Sequence, residues 1–359
     1  MIGLIQNITG YERKRIINAL FAGFCFCMII FGLLVVGYSQ PNLDGIYHML
    51  KSNTIDRFNW TTILFVVLIP LVILICESLA IGWNKSSLSR LLNKNSISSR
   101  IDICCWFFFA FWSVGWVVAY LITFSIFHQF GIAFRSIIDL QLLAYFTNPI
   151  ANFILAFIVR DLTFYIIHRF EHNINFLWAG HSVHHSAEHL SVLTLHRNSP
   201  LSEQFASMVT AIPLAILGAS FESFLLVAIL NQIQNHLNHT HIQWDWGFVG
   251  RWILVSPKHH QIHHSTDKKH QDKNFGSALI FWDRIFGTYY EPKMDTTLEN
   301  FNVGIIEPNR NKSFLHEQFT AFLKFIYYFS QSLADTFLIL FALLRYLSKK
   351  NAKKYISEK

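Results

Sequence analysis

The sequence predicts an all-α integral membrane protein, and three observations carry that prediction. Hydrophobic residues make up 52% of the 359 residues and charged residues only 14%, outside the usual range of water-soluble domains. Several apolar stretches approach or exceed the roughly 20 residues needed to cross a hydrocarbon core. Lysine and arginine gather unevenly at the ends of those stretches, as they do beside membrane spans.

Taken in order, spans are expected over Ile16–Tyr38, Thr62–Trp83, Ile103–Phe127 and Leu142–Val159. A further stretch, Ala206–Leu230, carries Gly218 and Glu222 near its middle, which favours a broken, re-entrant hairpin over a clean crossing. Past Arg160 the residues Leu162, Phe164, Tyr165, Ile166 and Ile167 keep a helical apolar rhythm to about Glu171, so the fourth span is expected to leave the membrane as one continuous helix. The stretch Phe322–Leu347 includes Lys324, Asp335 and Arg345 and fits either a span or an interfacial helix. No cleavable leader is expected, because the first apolar run is too long for a signal-peptide core and lacks a small-residue cleavage pattern. The expected organisation is membrane helices over 1–159, a polar metal-binding domain over 160–290 that includes the hairpin 206–230, and a helical tail over 291–359.

Orientation follows from the basic flanks. Arg13, Lys14 and Arg15 precede the first span and Lys85, Arg90, Lys94 and Arg100 fill the second connection, whereas the first connection has only Lys51 and Arg57. Basic flanks stay on the cytoplasmic side, so four crossings would return the chain to the cytoplasm at Arg160, in a bacterial inner membrane or the endoplasmic reticulum. The net charge of +7 suits anionic headgroups. No basic stripe or helix-turn-helix pattern accompanies it, which argues against a nucleic-acid partner. Cys25, Cys27, Cys76, Cys104 and Cys105 all lie in apolar runs without C-x-x-C spacing and read as packing residues.

Chemistry concentrates in the histidines, of which fifteen of eighteen lie between His168 and His270. Three groups have ligand spacing: His168 and His172; His181, His184 and His185; His260, His263 and His264. Residues three and four apart share a helix face, so each group can aim two or three imidazoles at one point. Eight convergent imidazoles can hold two metals. His239 follows the apolar run that ends near Leu230 and is a ninth candidate, with His236 one turn earlier on the same face. For His189, His196, His241, His259 and His270, which complete no spacing, an ordinary hydrogen-bonded role is the better reading.

The stretch DLTFYIIHRFEHNINFLWAGHSVHHSAE, and SPKHHQIHHSTDKKHQDKNFGSALIFWDRIFGTYY beyond it, resemble the histidine boxes of the fatty acid hydroxylase superfamily over Asp161–Tyr289. That superfamily includes sterol desaturases, methylsterol oxidases and alkylglycerol monooxygenases. Ser186-Ala187-Glu188, Arg197-Asn198-Ser199 and His239-Thr240 look closest to the alkylglycerol monooxygenase branch, while Asn173 and Leu195-His196 depart from the pattern. The resemblance implies metal ligands at His168, His172, His181, His184, His185, His239, His260, His263 and His264, with His236 as a weaker tenth. It implies two iron ions, O2 as co-substrate and a membrane lipid as substrate, oxidised at a C–H bond. No haem or flavin motif is present, so electrons are expected from a separate ferredoxin- or cytochrome-type protein or a reduced pterin. Asp161, seven residues before His168, is a candidate to fix an imidazole tautomer from behind. Glu188, Asn274, Asp283 and Arg284 are candidates to support the cage.

Two rivals compete. HRFEH also matches the inverted zinc-peptidase pattern, with Glu171 as general base, but that reading leaves the other histidine groups unexplained. A metal transporter should carry its ligands at mid-membrane, whereas these lie in polar sequence after the fourth span.

Overall fold

The computed structural model describes residues 10–39, 67–93, 96–108, 142–143, 145–219, 221–292, 302–306 and 312–357. Among them the regular structure is helical, and the only extended pairings are two isolated bridges, Leu254 with Leu279 and Ser265 with Val303. The longer helices are α1 (Gly10–Ser39), α2 (Ile69–Ile81), α3 (Ser87–Leu91), α4 (97–108), α5 (Pro149–Asn173), α6 (Asn175–His185), α7 (Pro200–Leu217), α8 (Phe221–Asn238), α9 (Gly247–Trp252), α10 (Pro257–His263), α11 (Phe281–Ile285) and α12 (Phe314–Ser357).

The first expected span lies within α1. Of the second, α2 is described; it ends at Gly82, whose φ of 82° turns the chain out of the helix, and residues 62–66 lie outside the described residues. α4 covers the start of the third, and residues 109–127 also lie outside. The fourth helix begins at Pro149 rather than Leu142: the Asn148 side chain accepts the N–H groups of Ile150 and Ala151, and proline fits the first turn. Hydropathy cannot see such a cap, and it sets the boundary. From there α5 runs unbroken through Arg160 to Asn173.

Ala206–Leu230 is divided between α7 and α8, separated at Gly218, whose φ of 76° needs glycine. The tail falls within α12, which packs along α1 and α6. There Thr336 Oγ1 donates to the Ala19 carbonyl (2.6 Å), and Gly23 admits the close approach, since a Cβ on it would stand 2.7 Å from Thr336 Cγ2. Two helices among the described residues are long and apolar enough to cross a membrane, α5 and the Phe314–Tyr346 portion of α12.

The polar half folds back onto α5. Only Ile174, in an extended conformation, separates α5 from α6, so α6 returns alongside the helix it follows and brings His181 next to His168. α7 and α8 pack on α5, and α10 packs on α8.

Candidate metal centre

Histidines from four elements converge in two adjoining groups. His168 and His172 of α5, His181 and His185 of α6 and His263 of α10 form one; His184 of α6, His239 just beyond α8, and His260 and His264 of α10 and its cap form the other. Within each group the ligand-capable nitrogens lie within 4.8 Å of one another. The rings of His185 and His264 stack at 4.3 Å across the boundary, so the groups share a wall. The two three-histidine boxes therefore do not each aim at one point. In α6, His181 and His185 go one way and His184 the other; in α10, His260 and His264 pair while His263 crosses over.

In the first group His168 Nε2 stands 3.1 Å from the Nε2 atoms of both His181 and His263, and His172 Nε2 stands 3.1 Å from that of His185. In the second, His239 Nε2 is 3.2 Å from His184 Nε2 and 3.0 Å from His260 Nε2, and His264 Nε2 is 3.1 Å from His260 Nε2. Tautomers follow from the far side of the rings. His168 Nδ1 is 2.8 Å from the Phe275 carbonyl, His263 Nδ1 is 2.8 Å from the Lys273 carbonyl and His239 Nδ1 is 2.7 Å from the Asn235 carbonyl. A carbonyl only accepts, so each Nδ1 carries the proton and each Nε2 presents its lone pair. His168 and His263 thus point two lone pairs at each other across 3.1 Å with no proton between them. Such an approach is repulsive in itself and favourable around a shared cation, so the donor set fits a bound metal.

Burial, and after it the neighbouring imidazoles, pushes His181, His184, His185, His260 and His264 well below the ordinary histidine value. Burial brings His239 down to about 3. Neutral imidazole is the form that binds a cation. An all-nitrogen shell suits first-row divalent metals such as iron or zinc.

The family model described as "Fatty acid hydroxylase" matches residues 153–288, a segment that contains all nine of these histidines. The similarity to that family is confined to residues 153–288. Curated relatives of this segment include the alkylglycerol monooxygenase of Danio rerio, 39% identical over 144 residues that cover 40% of this chain and 31% of the relative. The alkylglycerol monooxygenase of Homo sapiens is 34% identical over 134 residues, 37% of this chain and 29% of the relative. The ornithine lipid hydroxylase of Rhizobium tropici is 29% identical over 139 residues, 39% of this chain and 42% of the relative. The matched part of the chain spans about a third of the length of the alkylglycerol monooxygenases (31%, 30% and 29%). No solved structure matches the chain.

Around these histidines, buried carboxylates pin the segments that carry them. Asp161 differs from its expected role: its carboxylate accepts the N–H groups of Ala278, Leu279 and the Trp282 indole (3.0, 3.1 and 3.0 Å), not an imidazole. It acts on the cage only at a distance, by fixing the loop whose Phe275 carbonyl meets His168. Asp283 holds the same loop through Phe275 N, Gly276 N and Thr288 Oγ1 (2.8, 2.8 and 2.6 Å), and burial pushes its carboxyl up to about 6. Gly276 is required there, since a Cβ would stand 2.9 Å from Asp283 Oδ2. Asn274, at a φ of 55°, accepts the Tyr290 N–H (2.8 Å). Arg284 faces away from the cage, its guanidinium over the rings of Trp252 and Tyr289, and Glu188 gives its backbone N–H to Ser98 Oγ.

Glu171 Oε1 accepts from Ser202 Oγ (2.7 Å) and its Oε2 lies 3.5 Å from His181 Nδ1. It backs an imidazole from behind, as a carboxylate behind a ligand does. His236 belongs to neither group; its Nδ1 is 3.0 Å from the Val192 carbonyl and its ring lies beside His196. His189, His196, His241, His259 and His270 also lie outside both groups.

Three side chains that the sequence reading passed over or left without a role complete the frame. Glu77 of α2 accepts from His241 N and from Ser87 N and Oγ (2.5, 2.9 and 2.9 Å), anchoring the turn just after His239. Asp102 of α4 pairs with the fully buried Arg197 at 3.0 Å. Arg197 in turn donates to the Val183 carbonyl and to Ser186 Oγ, on either side of His184 and His185. A lone carboxylate inside an apolar run was the available signal for Glu77, and one immediately before such a run for Asp102.

Proposed function

We propose that this chain is an O2-dependent lipid hydroxylase with two iron ions in the histidine cage. The observation that supports it most is the pair of adjoining imidazole groups, in one of which His168 and His263 bring their lone pairs together with no proton between them. His168, His172, His181, His185 and His263 would hold one ion, and His184, His239, His260 and His264 the other; His236 would hold neither. Iron held there would supply the reduction of O2 and the abstraction of hydrogen from an unactivated carbon. The residues of the chain keep the imidazoles neutral, fix their tautomers and exclude water. The division at Arg160, the crossing of the membrane by four helices and a cytoplasmic face for the cage are part of the same proposal, with electrons from a ferredoxin- or cytochrome-type protein or a reduced pterin.

The relatives' names favour an ether lipid as substrate. One oxygen atom of O2 would enter the C–H bond beside the ether oxygen and the other would leave as water, using two electrons and two protons from the reductant. The resulting hemiacetal would collapse to a fatty aldehyde and a glycerol fragment. The ornithine lipid hydroxylase relative favours a second reading, hydroxylation of a polar lipid without cleavage, and a sterol or acyl-chain substrate would use the same cage.

The test offers the reconstituted protein an alkylglycerol, an ornithine lipid, a sterol and a fatty acyl lipid under O2, with a pterin or a ferredoxin-type reductant. Release of fatty aldehyde from the alkylglycerol alone is expected. Turnover confined to another lipid would replace the substrate and leave the metal reading standing. One zinc per chain, with activity lost on Glu171→Gln but kept on His263→Ala, would replace both with a peptidase.

A further inference from the structure

An apolar surface on the histidine domain has no role in holding the histidines. Phe248, Trp252 and Ile253 on and after α9, and Phe281, Ile285 and Phe286 on and after α11, are between 44% and 70% exposed. They belong to one patch. Leu254 bridges Leu279, Ile280 N donates to the Ile253 carbonyl (3.1 Å), and the Arg284 guanidinium lies 3.9 Å over the Trp252 ring. A contiguous surface of this kind marks an interaction site.

Its level along α5 says what covers it. Trp282 Nε1 donates to Asp161 and the Phe286 ring stacks on Tyr165 at 5.2 Å, so the patch is fastened to α5 between residues 161 and 165. On α5 the exposed large apolar side chains run from Ile150 through Ile154, Ile158 and Ile166 to Phe170. Ile150, Ile154 and Ile158 carry that row along the proposed span, and Ile166 and Phe170 continue it past Arg160. The patch is therefore fastened within about 8 Å beyond Arg160, where the span is proposed to end, which at about 1.5 Å per residue is the level of the headgroups. Its side chains are those of an interfacial belt, aromatic rings with arginines (Arg251 and Arg284) among them. Between Ile253 and Phe281 no large apolar side chain is exposed; Lys268, Lys269, Gln271 and Asp272 are exposed there instead.

We infer that the face formed by α9 and α11 is sunk into the headgroup and acyl-chain boundary of the bilayer that α5 crosses, with the loop 267–272 turned to water. The inference rests on the membrane reading of α5. It places the histidine domain partly within the lipid, where an alkyl chain can approach without leaving the membrane.

Single cysteines replacing Ile154, Phe248, Ile285 or Lys268, in a full-length chain whose five native cysteines are changed to alanine, are labelled with bimane. The protein is then reconstituted in phosphatidylcholine–phosphatidylglycerol vesicles carrying nitroxide on the acyl chain. Emission at 248 and 285 should be lost to the lipid nitroxide and kept in aqueous iodide, with the reverse at 268. Loss to iodide at 248 and 285, or protection from both quenchers, would overturn the inference. Lipid quenching at 154 without quenching at 248 and 285 would do so while leaving α5 in the membrane. Should the cysteine-free chain fail to fold, a diazirine phospholipid crosslinked to the unaltered protein serves instead. Adducts on residues 244–253 and 281–286 are expected, and adducts confined to α5 and α12 would reject the inference.

Discussion

At the scale of single residues, what distinguishes a ligand from a bystander is where the second ring nitrogen goes and what the first one faces. His236, in the last turn of α8, and His239, just beyond it, lie three residues apart, yet only His239 aims Nε2 at the imidazoles of the two groups. His239→Ala should abolish turnover and lower bound metal, while His236→Ala should leave the metal count of the purified protein unchanged; equal loss from both, by elemental analysis, would contradict the division. The same residues set the response to acid. His181, His184, His185, His260 and His264 sit below their ordinary value of 6.5 in the fold, so above that pH folded and unfolded chains are both neutral and the full stability is present. As pH falls below it, the unfolded chain takes up protons that the folded cage refuses, and stability is lost progressively. Protons also compete with metal for the nitrogens. Metal release and loss of helical circular dichroism should therefore set in together on acidification, and metal held far below the histidine range would contradict this.

At the scale of elements, three apolar helices each send one buried carboxylate to a different segment of the histidine domain: Glu77 of α2 to the turn at His241, Asp102 of α4 to Arg197, and Asp161 of α5 to the loop at 278–282. The Asp102–Arg197 pair is the most enclosed, with both side chains almost fully buried. Removing one partner leaves the other charged without compensation, which costs about 3–5 kcal/mol in buried pairs. Asp102→Asn should thus lower the thermal midpoint in detergent and reduce bound metal, because Arg197 no longer holds the backbone on either side of His184 and His185. The double variant Asp102→Leu with Arg197→Met should lose less than Asp102→Asn alone. Equal losses would mean that the pair acts through shape and not through its charges. None of these anchors was legible as such, since an acid in or beside an apolar run shows only that a partner must exist, and His241, Arg197 and Ala278 lie 95 to 164 positions from the acids they meet.

For the whole molecule, the proposed orientation puts the polar loop beyond α10 on the cytoplasmic side. A cysteine at Lys268, which is exposed, should react with a membrane-impermeant reagent in inside-out vesicles and stay unlabelled in right-side-out ones; the opposite pattern would invert the topology and remove a cytoplasmic reductant from the mechanism. The sequence by itself determined the helical class, because apolar runs and 3.6-residue periodicity are local properties. It also singled out the eight box histidines that the fold brings together, because residues three and four apart must share a helix face wherever the helix lies. Only the tertiary structure decided how the boxes divide. Whether His184 joins His181 or His239 depends on the direction from which α8 and α10 approach α6, and whether Asp161 meets an imidazole or a loop depends on what the chain brings there more than a hundred residues later. Neighbours in space that are distant in sequence leave no periodic mark, so those assignments waited for the fold.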